Sequence, residues 1–525
     1  MPSTLVWGVV LGFAVWAILK LSKTGSREPG LPPGPPTTPI LGNMLIFPRS
    51  HVHLKFTEWA RQYGELYSLK IGGATLVVIS SAKMIREVLD KRSSTTSDRP
   101  NYHVATRVNS NLDMPWTKYG PVWRNLRRAA HDILMKSACD RHIPIQRAEA
   151  IKLAVDLLDR PEGFFTHIVR YSSSVILSVC FGVHCPTFEN TFIEEFYNNQ
   201  RHWDNLLKPG NSPPVDVFPI LKYVPERWAS WKGECDFVGR AQRKLWQGLM
   251  KECVARMKAG KRNDSFMEYI VDRKDKYGLN DEEVGWLGFA LVEAGADTTS
   301  VYFQFFILMM TAFPEVRKRA QQEIDDVVGP NRLPMLEDFE NLPYVNAVVN
   351  EVIRFRPITP TAVPHATTTD EQVGQYVIPK GATLFMNVWG VYHDPEYYED
   401  PEVFNPDRFM KTPFGTKPGA DDTAFRNDFV FGAGRRICPG MHLANNSIAL
   451  VVTTLLWTFD FNPAKDPVTG KIIPADPNKI SEGIILTPEP YKTDIRPRSQ
   501  ARAEFIRKEF AAARPTFEQF ERSSL

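Results

Sequence analysis

The sequence predicts a mainly α-helical fold with smaller β-sheets, preceded by an N-terminal transmembrane helix. Three observations predict it. The apolar stretches Val284 to Met310 and Ile448 to Phe459 are too long for strands and read as buried helices. Strand patterns are few: Leu66 to Ile71 and Thr75 to Ile79 flank Gly72-Gly73 as a hairpin, and a second patch covers Gln375 to Met386 around Pro379-Lys380-Gly381. Finally, Leu5 to Leu19 is apolar apart from small residues, and the basic residues Lys20, Lys23 and Arg27 follow it.

That first segment is a little short of the ~20 residues that span a bilayer comfortably. No charge precedes it, positive charge follows it, and no small-x-small site ends it. It therefore reads as an uncleaved anchor, not a signal peptide. Its flanking charge puts the main body on the cytosolic side. The expected organisation is an anchor over residues 1–25, a proline-rich hinge over 26–43, a main domain over 44–495 and a charged extension over 496–525. Pro29 to Pro36 should act as a semi-rigid spacer. The extension is either a helix against the body or a loose tail.

With 525 residues and 43% hydrophobic content, the chain can bury a large core. Nothing repeats at solenoid periods. The six cysteines form no Cys-x-x-Cys pair, as in a reducing compartment. A net charge of +3 is too small to suggest a nucleic-acid partner.

The most informative ten residues are Phe431-Gly432-Ala433-Gly434-Arg435-Arg436-Ile437-Cys438-Pro439-Gly440. Gly434 and Gly440 permit positive φ and close approach of a flat partner. Pro439 suits the first position of a helix. Cys438 would then sit at a helix N-terminus beside two guanidinium groups, a setting that favours thiolate. A singly presented thiolate is a nucleophile or a metal ligand. Upstream, Glu351 and Arg354 are spaced as a helix pair, and Arg356-Pro357 stops that helix. Pro401 to Phe409, containing Arg408, follows. Ala294-Gly295-Ala296-Asp297-Thr298-Thr299 interrupts the long apolar stretch with poor helix formers, whose threonines can bond a backbone carbonyl and bend the helix. Trp123 and Arg127 stand at i, i+4, where a surface cation–π pair is one reading.

Together these motifs resemble the cytochrome P-450 family, in family order over roughly residues 30 to 495. The resemblance implies haem ligated by the Cys438 thiolate, with Phe431 shielding the sulfur and Gly434 shaping the loop. Trp123, Arg127, His365 and Arg436 would hold the haem propionates, whose buried carboxylates need such partners. Glu351, Arg354 and Arg408 would form a structural ion network. The long distal helix would open locally over the haem, with Thr298 hydrogen-bonding iron-bound oxygen and Asp297 relaying protons. The implied activity is that of a monooxygenase, inserting one atom of O2 into a lipophilic small molecule by hydroxylation or epoxidation. The alternative is a haem-thiolate isomerase or dehydratase that needs no reductase. The sequence has no Gly-rich dinucleotide fingerprint, so electrons would come from a partner, the NADPH–cytochrome P-450 reductase of the endoplasmic reticulum membrane. Arg124, Arg128 and Arg435 could present a basic face to it. The general look is similar to fungal microsomal members engaged in secondary metabolism or detoxification. The substrate pocket is expected along Tyr102, Met114, Phe289, Ala290, Glu293, Ala294, Ile358 to Val363 and Glu482 to Ile485, including Ile484.

Overall fold

The computed structural model describes residues 23–521 apart from 190, 209 and 482, together with Trp7 and Trp16. The expected anchor, Leu5 to Leu19, otherwise lies outside the described residues. Of the described helices, the one long and apolar enough to cross a membrane, Pro161–Phe181, is 83% buried in the protein and serves as a core helix.

The longer helices in chain order are α1 (Val52–Tyr63), α2 (His103–Asn109), α3 (Pro121–Leu134), α4 (Ile143–Asp159), α5 (Phe164–Phe181), α6 (Thr191–Leu207), α7 (Ser230–Lys258), α8 (Phe266–Tyr277), α9 (Asp281–Ala312), α10 (Pro314–Val327), α11 (Pro343–Phe355), α12 (Met441–Thr458) and α13 (Gln500–Glu518). Helix α9 is the axis of the fold. Asn280 caps it by accepting from Glu283 N at 2.9 Å, and the Glu283 carboxylate accepts from Asn280 N at 2.9 Å. Its first turn carries Asp281, Glu282 and Glu283, the charge that a helix N-terminus favours. Beyond that turn almost every apolar residue of α9 is buried, with α5 packed along it and α12 crossing it.

The main sheet has four strands, β1 (Leu66–Ile71), β2 (Ala74–Ile79), β3 (His365–Ala366) and β4 (Thr383–Met386), in the order β1-β2-β4-β3. The expected hairpin is β1–β2, antiparallel with Leu66 opposite Ile79. β2 then runs parallel to β4, with Leu76 opposite Thr383. This sheet carries His365 on an edge strand at the side of the helical body, where its alignment with Leu384 fixes its register.

Contacts fix both ends of the main body. The proline-rich segment, expected as a semi-rigid spacer, is pinned to that body. Arg27 donates to the carbonyls of Gly34 (3.1 Å), Pro35 (2.9 Å) and Ser68 (3.0 Å), and Asn43 Nδ2 donates to Pro36 O at 2.9 Å. The C-terminal extension is the helix α13, docked on α4 and α10. Arg498 and Arg502 pair with Asp325, Arg147 with Glu509 and Arg507 with Asp159. Ile506 is fully buried, and the Phe517 ring stacks on His184 at 4.6 Å.

Candidate active site

A cavity of about 310 Å³ lies between α9 and the segment that leads from Phe431 into α12. Its floor is Cys438, Pro439 and Gly440, and its roof is Ala290, Ala294 and Thr298 of α9. The loop that presents the sulfur is held from behind. Cys438 N donates to Phe431 O at 2.7 Å, and Gly434 N donates to Asp90 Oδ1 at 2.8 Å. Gly434 has φ +57°, and a Cβ there would lie 2.1 Å from Leu89 O, so glycine is required by the neighbouring backbone. Gly434 does not itself line the cavity. Gly440, by contrast, has φ −85° and needs no left-handed conformation. α12 starts at Met441, so Pro439 stands before the helix and Gly440 caps it.

The thiolate argument from sequence also needs correcting. Burial pushes the Cys438 thiol up, opposed by the Gly440 N–H and the Arg127 charge. Arg435 turns away to the Tyr119 hydroxyl, and Arg436 donates to backbone carbonyls. A cation bound at the sulfur is therefore what would favour its ionised form.

One edge of the cavity is strongly basic. Arg127, Arg436, His365 and Trp123 line it, joined by Arg99, which sequence reasoning missed. Arg99 is 4% exposed and donates to the carbonyls of Pro115 (2.7 Å), Val363 (2.8 Å) and Pro364 (2.8 Å). Arg436 donates to Ser97 O (2.9 Å), Met114 O (3.3 Å) and Thr117 O (2.7 Å) and lies 4.2 Å over the Trp123 ring. Each guanidinium thus spends three of its five N–H donors on backbone. Burial, with Arg99 and Arg127 nearby, pulls Arg436 down to about 8; burial pulls Arg99 to about 10. Against these cations stands, among the described residues, one nearby carboxylate, Asp98. Burial and Arg99 bring His365 to about 3, and its Nδ1 lies 2.9 Å from Thr96 O. A cavity with a sulfur on its floor and excess buried positive charge on one edge fits a flat, dianionic, thiolate-ligated cofactor.

Above the cavity α9 runs without a break, so the expected local opening is not present. Thr298 Oγ1 instead donates to Ala294 O at 2.7 Å within the turn. Thr298 lines the cavity; Asp297 does not. Burial, with the like charge of Asp204 on α6, raises Asp297 to about 7.

Of the expected pocket residues, Ala290, Ala294, Ile358, Val363 and Met114 line the cavity, whereas Tyr102, Phe289, Glu293 and Ile484 do not. Tyr102 packs edge-on to Trp116 at 5.3 Å, and Phe289 is 1% exposed between Trp286 and Phe196. One position on a helix is about 100° of rotation, which puts Phe289 and Ala290 on different faces. Glu293 meets Asp113, and Ile484 is half-buried in a loop off the cavity wall. Glu482 lies outside the described residues.

Beyond the cavity, Glu351, Arg354 and Arg408 meet as a buried unit. Arg354 Nε is 2.6 Å from Glu351 Oε2, Arg408 Nε is 3.2 Å from Glu351 Oε1, and Asn405 N donates to the same oxygen at 2.7 Å. Both arginines then hold carbonyls, Arg354 those of Tyr392 and Pro401, and Arg408 that of Glu399. The network ties α11 to the meander that leads into the cysteine loop.

A helical body with a small edge sheet, a cysteine loop facing a long helix and a basic cavity edge defines a haem-thiolate enzyme. Known proteins agree: the cytochrome P450 family model matches residues 32–495. A cytochrome P450 monooxygenase of Armillaria gallica is 44% identical over 96% of both chains, and the monooxygenase yanC of Aspergillus niger is 38% identical over 92% of both. A zebrafish cytochrome P450 structure solved with progesterone shares the fold, with a TM-score of 0.69 at 24% identity over 85% of this chain and 99% of that one. The chain belongs to the cytochrome P450 family of haem-thiolate monooxygenases.

Proposed function

We propose that this protein hydroxylates or epoxidises a lipophilic small molecule, with electrons delivered by a membrane-bound NADPH-dependent reductase. The single observation that carries the reading is the convergence on one cavity of Cys438, the basic edge and Thr298. Haem bound through Cys438 supplies the oxygen-activating chemistry, in which two electrons and two protons split O2, one atom going to the substrate and the other leaving as water. The side chains do the rest. Arg99, Arg127 and Arg436 hold the cofactor carboxylates with the N–H groups that the backbone leaves them. His365 Nδ1 faces an acceptor, Thr96 O, so Nε2 can donate to a carboxylate only as imidazolium. The neighbouring carboxylate is what would offset the cost of that charge. Asp297, held near 7, is partly a carboxylic acid at neutral pH and supplies protons toward the Thr298 hydroxyl in the roof. The apolar wall of Met114, Ala290, Ile358 and Val363 excludes water and suits an apolar substrate.

Several features support the cellular setting. The relatives are fungal monooxygenases, in keeping with a role in secondary metabolism or detoxification. Arg124, Arg128 and Arg435 are exposed, and none forms an ion pair among the described residues, leaving a basic surface for an acidic redox partner. Ile220, Tyr223 and Trp228 are 76%, 84% and 71% exposed, and Leu45 and Ile46 are also exposed, giving apolar surface for a membrane. The apolar run Leu5 to Leu19 would place the enzyme as a single-pass protein of the endoplasmic reticulum.

The test uses the full chain with purified reductase. NADPH should be consumed only when both are present, with O2 uptake. Thr298→Ala should retain haem while its product per NADPH falls about tenfold or more, the remainder appearing as peroxide. Product formation that needs no reductase would overturn the monooxygenase reading in favour of an isomerase or dehydratase.

A further inference from the structure

Asp113 and Glu293 are acids that the proposed reaction does not use. Asp113 stands in the loop between α2 and α3, 1% exposed, and its carboxyl is hydrogen-bonded to that of Glu293 on α9. No N–H or O–H donor among the described residues reaches Asp113 Oδ1. The surroundings add acid, not base. Asp297 is one turn along α9, and Asp204 of α6 also faces Glu293; Gln200 of α6 hydrogen-bonds Glu293 and donates to Asp204 at 3.2 Å. Tyr197 of α6 neighbours Asp297, and among the described residues the one cation acting on these groups, Lys208, acts on Asp204. Two carboxyl groups in contact without a cation must share a proton. Burial holds both up: Asp113 reaches about 7 although its hydrogen bond to Glu293 pulls it down, and Glu293, with the Asp113 charge added, goes well above its usual range.

The same loop is gripped from its other side. Arg99 holds Pro115 O, and Arg436 holds Met114 O and Thr117 O. Met114 and Pro115 form cavity wall, and Ala290 and Ala294, which flank Glu293 on α9, form roof. We propose that Asp113 and Glu293 are a positioning pair, a latch closed by one shared proton that fixes the Asp113–Thr117 loop against α9 and so sets the wall of the cavity. This rests on the reading of that cavity as the haem and substrate pocket. Because the fold raises both groups, the latch belongs to the acid side. It is lost as pH rises through the raised values, when two carboxylates repel and only the arginine grips remain.

Carbon monoxide is the probe. In the full-length ferrous haem protein, CO recombination after flash photolysis should speed up about three- to tenfold between about pH 6 and about pH 9 as the loop loosens. Glu293→Gln should hold the slow rate at every pH, because its amide N–H donates to the Asp113 carboxylate without a titrating proton. Asp113→Asn should do the same from the other side. Hydrogen exchange of residues 113–117, corrected for intrinsic rates, should show the same trend and needs no bound gas. A flat pH dependence in the wild type, or amide variants that accelerate as the wild type does, would overturn the latch. A wild-type protein without a thiolate-type CO spectrum would instead overturn the haem reading and, with it, the latch.

Discussion

Two regions of like charge meet the Asp113–Thr117 loop from different sides, and they are resolved in opposite ways. On the basic edge, Arg99, Arg127 and Arg436 crowd together with a single carboxylate near them among the described residues. Even pulled down by burial, Arg99 and Arg436 stay mostly charged at neutral pH, so such a cluster requires an anion from outside the chain. In the acidic chamber, Asp113, Asp204, Glu293 and Asp297 crowd together, with Lys208 as the only cation among the described residues acting on them. Carboxylates can be neutralised by protons, and burial raises all four toward the range where they are. The basic edge therefore records a ligand, while the acidic chamber records a pH. The difference follows from side-chain chemistry and not from depth of burial.

The largest effect should come from removing the atom that makes the basic edge useful. Cys438→Ser should abolish both the thiolate-type CO difference spectrum and turnover. Retention of either would mean that the cations serve some other anion.

Next, Arg436→Met removes a cation and three bonds to backbone carbonyls while keeping apolar bulk. A hydrogen bond to a charged donor is worth about 1.5–3 kcal/mol, and the three carbonyls would be left without theirs. Haem content per protein, read from absorbance, should fall steeply and the Tm with it. If the basic edge were merely structural, the Tm would fall while haem content per folded molecule stayed constant.

The smallest effect sharpens the acidic side. Asp204 raises Asp297, so Asp204→Asn should let Asp297 ionise at lower pH. In the wild type, product per NADPH should decline as pH rises through about 7, where Asp297 loses its proton. In the variant that decline should begin at lower pH, by a fraction of a unit. An unmoved profile would detach Asp297 from proton supply.

Local motifs in the sequence located the cavity well, and non-local contacts explain the rest. Phe431 to Gly440 is a contiguous signal, since one loop must present a sulfur while its backbone passes within touching distance of Leu89. Glu351 and Arg354 are legible because they share a helix turn. Arg99 carries no such signal, being a lone arginine before a proline whose role emerges only when Pro115 and Val363 fold over it. The acidic chamber is less legible still, since Asp113, Asp204 and Glu293 come from three elements far apart in sequence. Phe289 and Tyr102 were misplaced for a simpler reason: apolar character marks a residue as buried, but not which buried space it faces.

The last helix has a consequence for how the molecule is made. α13 closes on α4 through pairs such as Arg147–Glu509 and Arg507–Asp159, which are separated by 362 and 348 residues. At a synthesis rate of roughly 5–20 residues per second, α4 waits on the order of tens of seconds for its partner. Until then the face around His184 that receives Phe517 stays uncovered on the ribosome. A chain released a few dozen residues early would keep every motif of the cavity and still present that open face to chaperones and proteases.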